Sequence, residues 1–528
     1  MKFAKTSARR SLIATLTAAG LLFAAAAPPA FSQGVETQIR VTAFAQAVAE
    51  AAARDDDLAA FYRARAFEGI WTGTDSDAVM RRNAFISALD QAAQHGLPAI
   101  RFNTRAAISL LQGASTPAEK GRAEVEMSRL LLDYARTLNS GLLQPRQVVS
   151  HIRREVHLRD RGEMLDAFMD NPNAMLRGLA PSTPEYQRLM QAKMRLESLL
   201  PRGGFGPAVQ STIRPGDQGA QVVALRNRLM AMDLLGHTVS GRYDTKMQEA
   251  VRSFQESMGL EQDAIVGGAT LTALNVDARD RLESVLVAME RERWFNNLDR
   301  GDRYVWVNLV DFTAAIMDHD RETFRTKSVI GAQAGDRQTV EFSDTMEYME
   351  INPYWYVPRS IINGEYGGRV PAGFEAVDYR GRIVQTSSAQ NVSVRQRPGP
   401  RNALGSVKFM FPNQYNIYLH DTPSQSLFSR TVRTFSHGCI RLDDPHEFAY
   451  ALLAAQMDDP EPYFQRILRS GANTRVPLET PLPVHLIYRT AFTSVDGRVH
   501  YRNDVYNRDA RIWNALAAEG VVIGDVSG

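Results

Sequence analysis

The sequence predicts a multidomain α+β protein, and three observations support this prediction. Residues 36–205 carry apolar residues at helical spacing, and a Gly/Pro-rich stretch at 200–208 follows them. Residues 213–276 contain three short amphipathic segments that predict a small helical bundle. From residue 280 onward, apolar and polar residues alternate in short runs, which is typical of strands. A chain of 528 residues is long enough for about three such domains.

The predicted boundaries follow from these changes in pattern. They are 1–32 for an export signal, 36–205 for the helical region, 209–278 for the three-helix unit and 280–515 for the β-rich region, within which 359–405 is a lid.

The first 32 residues have the pattern of a secretory signal. Four Lys/Arg residues precede an apolar run, and PPAFSQ offers small residues for cleavage after Ser32. Retention as an uncleaved membrane anchor is the alternative, which Pro28 and Pro29 disfavour. The run ARRSLI is similar to a twin-arginine signal, but general secretory (Sec) export is favoured. The whole chain carries a formal net charge of +2. The four basic residues of the signal contribute +4, so the rest of the chain carries a net charge of −2. No nucleic-acid partner is therefore expected.

The stretch TFSHGCIRLDD contains Cys439, the only cysteine of the chain. An exported protein favours paired cysteines, so a single one is either a small buried hydrophobe or a reactive group. His420 ends the predicted strand NIYLH, nineteen residues earlier. It could ionise the thiol if the connection brings the two side by side. Asp421 could fix the tautomer of His420 through its carbonyl or its carboxylate.

Residues around this pair complete a candidate active site. Gly438 has no Cβ and permits a tight turn in which the N–H groups of Gly438 and Cys439 face a developing oxyanion. Tyr418 shares a strand face with His420 by period-two alternation and could assist. His437 is assigned an orienting or oxyanion role.

A metal site is not predicted at this position. The chain offers no second cysteine, and His446 alone gives poor zinc spacing with His437. Arg441 could bind a substrate carboxylate, or it could form a structural salt bridge with Asp443 or Asp444.

Residues 359–405 are predicted to be an irregular lid. They carry seven arginines against three acidic residues, a formal charge of +4. Long loops inside compact domains are usually functional or disordered. The composition therefore indicates an anionic ligand, and a solvated basic loop is the alternative.

The pattern Tyr418-x-His420, followed by Ser436-His437-Gly438-Cys439-x-Arg441, resembles the L,D-transpeptidase (YkuD-type) catalytic domain. The segments INPYWYVPRSI and RQRPGPRNALGSVKFMFPNQYNIYLHDTP resemble the large multidomain branch typified by YcbB. The unit at 209–278 is similar to a three-helix peptidoglycan-binding domain. The helical region resembles the scaffold domain of that branch.

The resemblance implies a complete reaction. The Cys439 thiolate attacks the carbonyl of the third residue of a peptidoglycan stem, expels D-alanine and forms a thioester. The side-chain amine of a second stem then accepts the acyl group, which gives a 3→3 cross-link. His420 activates the thiol and relays the proton. No cofactor is implied, and carbapenems are expected to acylate the enzyme.

The implied partners are donor and acceptor stem peptides and, through residues 209–278, the glycan; the implied location is the periplasm. Partners among cell-wall synthesis proteins are left open. The substrate-binding candidates are Tyr418, Arg441, Ser436, Trp355, Arg369, Arg397 and Arg401, of which the last three are expected to contact stem carboxylates.

Two alternatives stay open. An L,D-carboxypeptidase would pass the same acyl-enzyme to water. A non-catalytic scaffold would use residues 209–278 to bind the cell wall, with a vestigial thiol.

Overall fold

The computed structural model describes residues 42–523, which form one compact unit from Ala43 onward. The predicted export signal at 1–32 lies outside the described residues, as do the first residues of the predicted helical region. Within the described range, no helix combines the length and the apolar character needed to cross a membrane.

The helical region is confirmed, and its core surrounds Trp71. The Trp71 ring is fully buried and packs against Phe168 and Phe85, with ring centroids 5.0 and 5.5 Å apart. The carboxylate of Glu124 accepts backbone N–H groups from the Ile70–Thr72 segment, which satisfies donors that a loop would otherwise leave unpaired. The described helices of this region are α1 (Ala43–Ala52), α2 (Asp56–Ala64), α3 (Ser76–Asp90), α4 (Thr104–Gly113), α5 (Pro117–Ser140), α6 (Pro145–Val148), α7 (Arg161–Asp170), α8 (Pro172–Arg177) and α9 (Pro184–Leu199).

The three-helix unit also forms as predicted. Its helices are α10 (Ala220–Ala231), α11 (Thr245–Ser257) and α12 (Gly268–Asn275). Val222, Leu225 and Leu229 of α10 are buried against Ala250 and Phe254 of α11, as their helical spacing predicts.

Helix α13 (Ala278–Trp294) packs against α9 and the C-terminal region, and its last turns carry four consecutive buried charges. Arg291 donates to Asp509 Oδ1 at 2.7 Å and to Glu341 Oε2 at 2.8 Å. Arg508 donates to the other oxygen of Glu341 at 2.9 Å. Burial opposes the charge of Arg291, but Asp509 and Glu341 together outweigh burial and raise its pKa. Arg291, Glu341, Arg508 and Asp509 are called the buried charge network below.

The C-terminal region is β-rich, as predicted. Its elements are β1 (Arg303–Asn308), β2 (Thr313–Asp318), β3 (Arg321–Gly331), β4 (Phe342–Ile351), β5 (Trp355–Tyr356), α14 (Arg359–Tyr366), β6 (Glu375–Val377), β7 (Ile383–Val384), β8 (Ser393–Gln396), β9 (Val407–Met410), β10 (Leu419–His420), β11 (Thr434–Ser436), β12 (Ile440–Leu442), α15 (Pro445–Leu453), α16 (Pro460–Ser470), β13 (Thr474–Ile487), β14 (Ala491–Thr493), β15 (Val499–Tyr501) and α17 (Asp509–Ala518).

Nine of these described strands form one sheet in the order β11-β3-β12-β10-β9-β4-β13-β1-β2, and β2 also pairs with β3. The sheet therefore closes on itself, with β11 attached outside the ring. The pairs β1–β13, β10–β12 and β11–β3 are parallel, and the other pairs are antiparallel. Apolar side chains such as Val305, Phe409 and Ile440 fill one face.

The stretch RYVWVNLVDFTAAIMD, in which apolar and polar residues alternate, forms two strands. β1 and β2 are joined by a turn in which Phe312 has a positive φ of 55°. The alternation continues through the turn, so periodicity alone does not reveal the break. His319 and Asp320 form the turn between β2 and β3, with φ of 49° and 60°.

The segment 359–405, predicted to be irregular, is ordered. It contains α14 and, with β5, a four-stranded sheet in the order β5-β8-β6-β7. Val357, Ile362 and Val394 are buried in a core of its own. The strands are only two to four residues long, so they leave little periodicity in the sequence. Residues 355–405 are called the cap below.

Candidate active site

His420 ends β10 of the main sheet, and Cys439 immediately precedes the neighbouring strand β12. β10 runs parallel to β12, with Leu419 opposite Ile440, and the Ile440 N–H donates to the Tyr418 carbonyl at 3.0 Å. Cys439 is therefore opposite Tyr418 and diagonal to His420, on the face away from the apolar core. Diagonal neighbours on one sheet face lie about 7–8 Å apart at the backbone, within reach of long side chains. The connection between the two strands therefore brings Cys439 and His420 to diagonal positions on one face of the sheet.

The ring of His420 has a fixed tautomer. Its Nδ1–H donates to the backbone carbonyl of Asp421 at 2.5 Å, so Nε2 carries the free lone pair. The ring is 4% exposed, and burial, reinforced by the charge of Arg441, lowers the pKa of His420 to about 3. His420 is therefore a neutral imidazole at neutral pH.

The orienting group at position 421 is the carbonyl rather than the carboxylate. The Asp421 carboxylate instead accepts from Ser406 N and Ser406 Oγ, each at 2.7 Å. Gly405 precedes this contact with φ of 61°, and a Cβ there would lie 2.3 Å from the Asp421 carboxylate. The carboxylate thus fixes the β10 end against the 405–406 turn.

The Cys439 thiol is half-buried and already has a hydrogen-bond partner. Sγ–H donates to the backbone carbonyl of Asn416 at 3.4 Å. Burial raises the pKa of Cys439 to about 11, against the hydrogen bonds from Tyr418 and the charges of Arg441 and Lys408. Asn416 has a φ of 53°, a conformation that asparagine tolerates, and the sequence reasoning did not identify it.

The resting pair is neutral, which corrects the expectation that His420 ionises the thiol. Burial disfavours the charged form of both groups, so it raises the pKa of the thiol and lowers the pKa of the imidazole. An imidazole with a free Nε2 can still remove the thiol proton at the moment of attack.

The turn before Cys439 is held by Ser436, which changes two predicted roles. Ser436 is 2% exposed and donates to the Cys439 carbonyl at 2.6 Å, so its hydroxyl is not open to substrate. The Gly438 N–H donates to Ser436 Oγ at 3.1 Å, so it is not a free oxyanion donor. Gly438 has a φ of 114°, as the predicted tight turn requires. The Cys439 N–H has no acceptor among residues 42–523 and is the available donor.

Thr339 supports this turn from the opposite side, a role that the sequence reasoning missed. Its Oγ1 donates to the Gly438 carbonyl at 2.8 Å and accepts from Gly331 N at 2.9 Å. Its own carbonyl accepts from Arg508 at 2.5 Å. A continuous path of hydrogen bonds therefore runs from the buried charge network to the residue next to Cys439.

Arg441 shares the sheet face of Cys439 and makes no ion pair within the described chain. The alternative partners are engaged elsewhere, because Asp443 lies 3.8 Å from Lys327 and Asp444 accepts from Thr326. Burial lowers the pKa of Arg441, and Arg441 Nε is buried without a hydrogen-bond partner. This guanidinium is therefore available to an anionic group bound next to the sulfur.

His437 connects the Cys439 turn to the cap. Its Nε2 lies 2.8 Å from Glu365 Oε1 on α14. Both side chains are partly exposed, so the contact is modest in energy and can open. Within the described residues, His437 makes no contact that would orient His420, and it does not belong to a metal site. Within residues 42–523, no group of three or more His, Cys, Asp or Glu side chains could hold a metal ion.

Several cap arginines are engaged in pairs inside the cap. Arg395 and Arg397 both contact the carboxylate of Glu375, Arg395 at 2.7 Å. Arg359 donates to the backbone carbonyls at 389 and 392. Arg397, which was predicted to meet a stem carboxylate, therefore already has an acidic partner.

Arg369 and Arg401 are different. Both side chains are exposed, and neither forms an ion pair in the part of the chain that the structure describes. Trp355 packs partly into the cap core, with its ring 6.1 Å from Phe374, so its main contact is structural rather than an open substrate platform.

Three family profiles match successive parts of the chain. The L,D-transpeptidase catalytic domain (YkuD) matches residues 302–470, a scaffold domain matches 56–192, and a "Putative peptidoglycan binding domain" matches 218–274. Each match falls within the corresponding predicted range.

One curated relative is the "Putative L,D-transpeptidase" of Haemophilus influenzae. It is 27% identical over 224 residues, which cover 39% of this chain and 45% of the relative. The match thus spans less than half the length of that relative.

The chain is also similar to two solved L,D-transpeptidase structures. The protein from Xylanimonas cellulosilytica is 17% identical, with a TM-score of 0.15, and the match covers 53% of this chain and 100% of that one. The protein from Stackebrandtia nassauensis is 14% identical, with a TM-score of 0.22, and the match covers 53% and 97%. At these scores neither likeness supports a conclusion, and the family profiles carry the assignment. By these profiles, residues 302–470 are a YkuD-type L,D-transpeptidase catalytic domain, residues 56–192 match a scaffold domain and residues 218–274 match a peptidoglycan-binding domain.

Proposed function

We propose that this protein forms 3→3 peptidoglycan cross-links through a thioester on Cys439. The observation that carries the proposal is the shared sheet face on which a neutral imidazole, with Nε2 free, lies diagonal to the single thiol. The donor is a tetrapeptide stem. The peptidoglycan-binding domain holds the glycan, and the site of action is the periplasm.

Acylation starts from the neutral pair. The Cys439 sulfur attacks the carbonyl of the third stem residue while its proton passes to His420 Nε2. The Cys439 N–H donates to the oxyanion that develops. The carbon–nitrogen bond to D-alanine then breaks, and the imidazolium returns its proton to the departing amine.

Transfer reverses these proton movements. The amine of a second stem forms a bond to the acyl carbon, the carbon–sulfur bond breaks, and the amine proton reaches the sulfur through His420. Arg441 is the group proposed to hold the donor carboxylate, because its guanidinium lies beside the sulfur without an acidic partner. Exposed Arg369 and Arg401 of the cap are the remaining candidates for stem carboxylates.

The decisive test is covalent labelling of the full chain with a carbapenem. Intact mass spectrometry should show one adduct per molecule, and Cys439→Ala should lose it. Ser429→Ala, in the exposed connection between β10 and β11, is the matched control and should keep the adduct. Absence of an adduct in the unsubstituted protein would favour the non-catalytic scaffold.

Muropeptide products distinguish transfer from hydrolysis. Incubation with tetrapeptide stems should give 3→3 dimers. Release of tripeptides alone would instead establish an L,D-carboxypeptidase that uses the same acyl-enzyme.

The rate of Cys439 acylation should be nearly independent of pH between about pH 5 and 9. Protonation removes the base only as the pH falls toward about 3, the pKa of His420, and the thiol ionises only near 11. Carbapenem adduct formation, timed by mass spectrometry across this range, measures the profile. A rate that rises with a midpoint between pH 6 and 7 would contradict the neutral-pair assignment.

A further inference from the structure

A cavity of about 310 Å³ lies where the helical region, the three-helix unit and the C-terminal region meet. It is called the junction cavity below. Helices α9, α11 and α13, the end of α10 and the β14–β15 hairpin all contribute to its wall. Its volume is at the lower end of the range for small-molecule sites in proteins. The cavity is therefore large enough for a small ligand that contacts all three regions.

Most of the wall of the junction cavity is apolar. The apolar side chains come from α9, from the 200–208 linker and from the three-helix unit, and they include Leu196, Leu199, Phe205, Met232, Phe254 and Met258. A ligand with an apolar body is favoured here, because its contact with these side chains removes hydrocarbon surface from water on both sides.

Arg281 of α13 places a guanidinium group in this wall without an acidic partner. Its Nη2 donates to the Ala273 carbonyl at 2.9 Å and lies 3.3 Å from Met258 Sδ. Within residues 42–523, Nε and Nη1 have no hydrogen-bond partner, and the side chain forms no ion pair. Burial lowers the pKa of Arg281, as expected for a cation whose charge is incompletely compensated. Two of its nitrogen donors are therefore available to a ligand.

The hydroxyl of Tyr501 is a second available donor. Tyr501 belongs to β15, and Arg281 Cζ lies 4.3 Å from its ring centroid. Its hydroxyl makes no hydrogen bond to any described residue, although a buried tyrosine hydroxyl usually has a partner. Burial raises the pKa of Tyr501 to about 12, so the hydroxyl keeps its proton at neutral pH and can donate it to an acceptor. Arg281 and Tyr501 together therefore offer a cation and an O–H to one anionic group.

The other charges of the wall already have partners. Arg195 pairs with Asp233, and Arg498 lies 3.8 Å from Asp496. The positive charge that remains is that of Arg281. Keeping a cation away from water without a counter-ion is unfavourable, and an anion bound beside it would supply that counter-ion.

A ligand in the junction cavity would reinforce an existing contact between the three-helix unit and the catalytic region. Ser257 of α11 lines the cavity, and its carbonyl accepts from Arg502 Nη1 at 2.9 Å. Arg502 follows Tyr501 in the chain and also donates to Asp311 Oδ1 at 2.5 Å, in the turn between β1 and β2. The cavity is thus next to a hydrogen-bonded connection between the two parts.

We propose that the junction cavity binds a small amphipathic carboxylate, with its apolar chain against α9 and the three-helix unit and its carboxylate on Arg281 and Tyr501. This inference goes beyond the proposed function, because the cavity shares no lining residue with the Cys439 site or the cap. No covalent bond changes. The bound ligand contacts the helical region, the three-helix unit and the C-terminal region at once, and so holds them together.

Binding is tested with octanoate as the probe. Titration calorimetry of octanoate into the full-length protein should give a saturable signal with one site. Octanol has the same chain without the charge and should bind about ten-fold or more weakly, because it forms no charge-assisted hydrogen bond with Arg281. No saturable binding of octanoate, or equal affinity for the two probes, would overturn the proposal.

Variants locate the carboxylate. Arg281→Gln should weaken octanoate binding about ten-fold or more and leave octanol binding unchanged. Tyr501→Phe removes only an unpaired hydroxyl, so it tests the site even if the loss of Arg281 disturbs folding. It should weaken octanoate binding about three- to ten-fold.

Arg380→Gln is the matched control. Arg380 is an exposed arginine of the cap that also lies beside a tyrosine, with its Cζ 5.2 Å from the Tyr379 ring centroid. Its replacement should leave octanoate binding unchanged. Unchanged binding in both Arg281→Gln and Tyr501→Phe, or an equal loss in Arg380→Gln, would mean that octanoate binds elsewhere and would refute the site.

Discussion

Replacing His420 with Gln should lower the rate of Cys439 acylation by about 10²–10⁴-fold, the usual contribution of a general base. The thiol has a pKa near 11, so almost none of it is ionised at neutral pH without a base. Arg441 and Lys408 act on the thiol in the opposite direction, but they do not overcome its burial. The measurement is the rate of carbapenem adduct formation at pH 7.

His319→Gln is the matched control for this prediction. His319 lies in the exposed β2–β3 turn, with 80% of its side chain exposed, so its replacement should leave the rate unchanged. The His420→Gln protein should also recover activity as the pH approaches the thiol pKa, because hydroxide then replaces the base. A rate within ten-fold of the unsubstituted protein at pH 7 would mean that another group removes the proton.

Replacing Glu341 with Ala should destabilise the catalytic domain by about 3–5 kcal/mol, the cost of breaking a buried ion pair by removing one partner. Glu341 is 2% exposed and accepts from both Arg291 and Arg508. Its removal leaves two buried guanidinium groups without that carboxylate, and Arg508 also donates to Thr339 beside the Cys439 turn. A thermal melt of the full chain should show a fall of at least about 6 °C in the transition of this domain.

Glu322→Ala tests the same residue type in an exposed ion pair. Glu322 contacts Arg325 on the surface of β3, where 36% and 50% of the two side chains are exposed. Its replacement should cost no more than about 1 kcal/mol. Equal melting temperatures for the two variants would show that the buried charge network contributes little to stability.

The sequence predicts the positions of the reactive groups better than their protonation. The strand pattern around Tyr418 and His420 determines which side chains share a face, because alternation is local. The pKa values depend on burial by the surrounding sheet and on Lys408, which reaches the site from β9. A thiolate was therefore expected where the fold gives a neutral thiol.

The remaining differences also come from contacts between distant parts of the chain. Thr339 meets Gly438 across 99 residues, and no local pattern in the sequence indicates that pairing. The amide of Gly438 is taken by Ser436 because both lie in one tight turn, a detail of geometry that glycine alone does not specify. The sheet of the cap is missed because its strands are too short to show a period.

The hydrogen bonds that lead from α13 through Glu341, Arg508 and Thr339 to the Cys439 turn mean that the catalytic unit is not a portable module. The stretch that matches the YkuD profile, 302–470, excludes Arg291, Arg508 and all of β13. Cutting the chain at those limits would break the closed sheet at β13. It would also remove the hydrogen bonds of Arg291 and Arg508 that support the Cys439 turn through Glu341 and Thr339. Any unit transferred to another chain must therefore include helix α13 and the C-terminal segment together with the sheet.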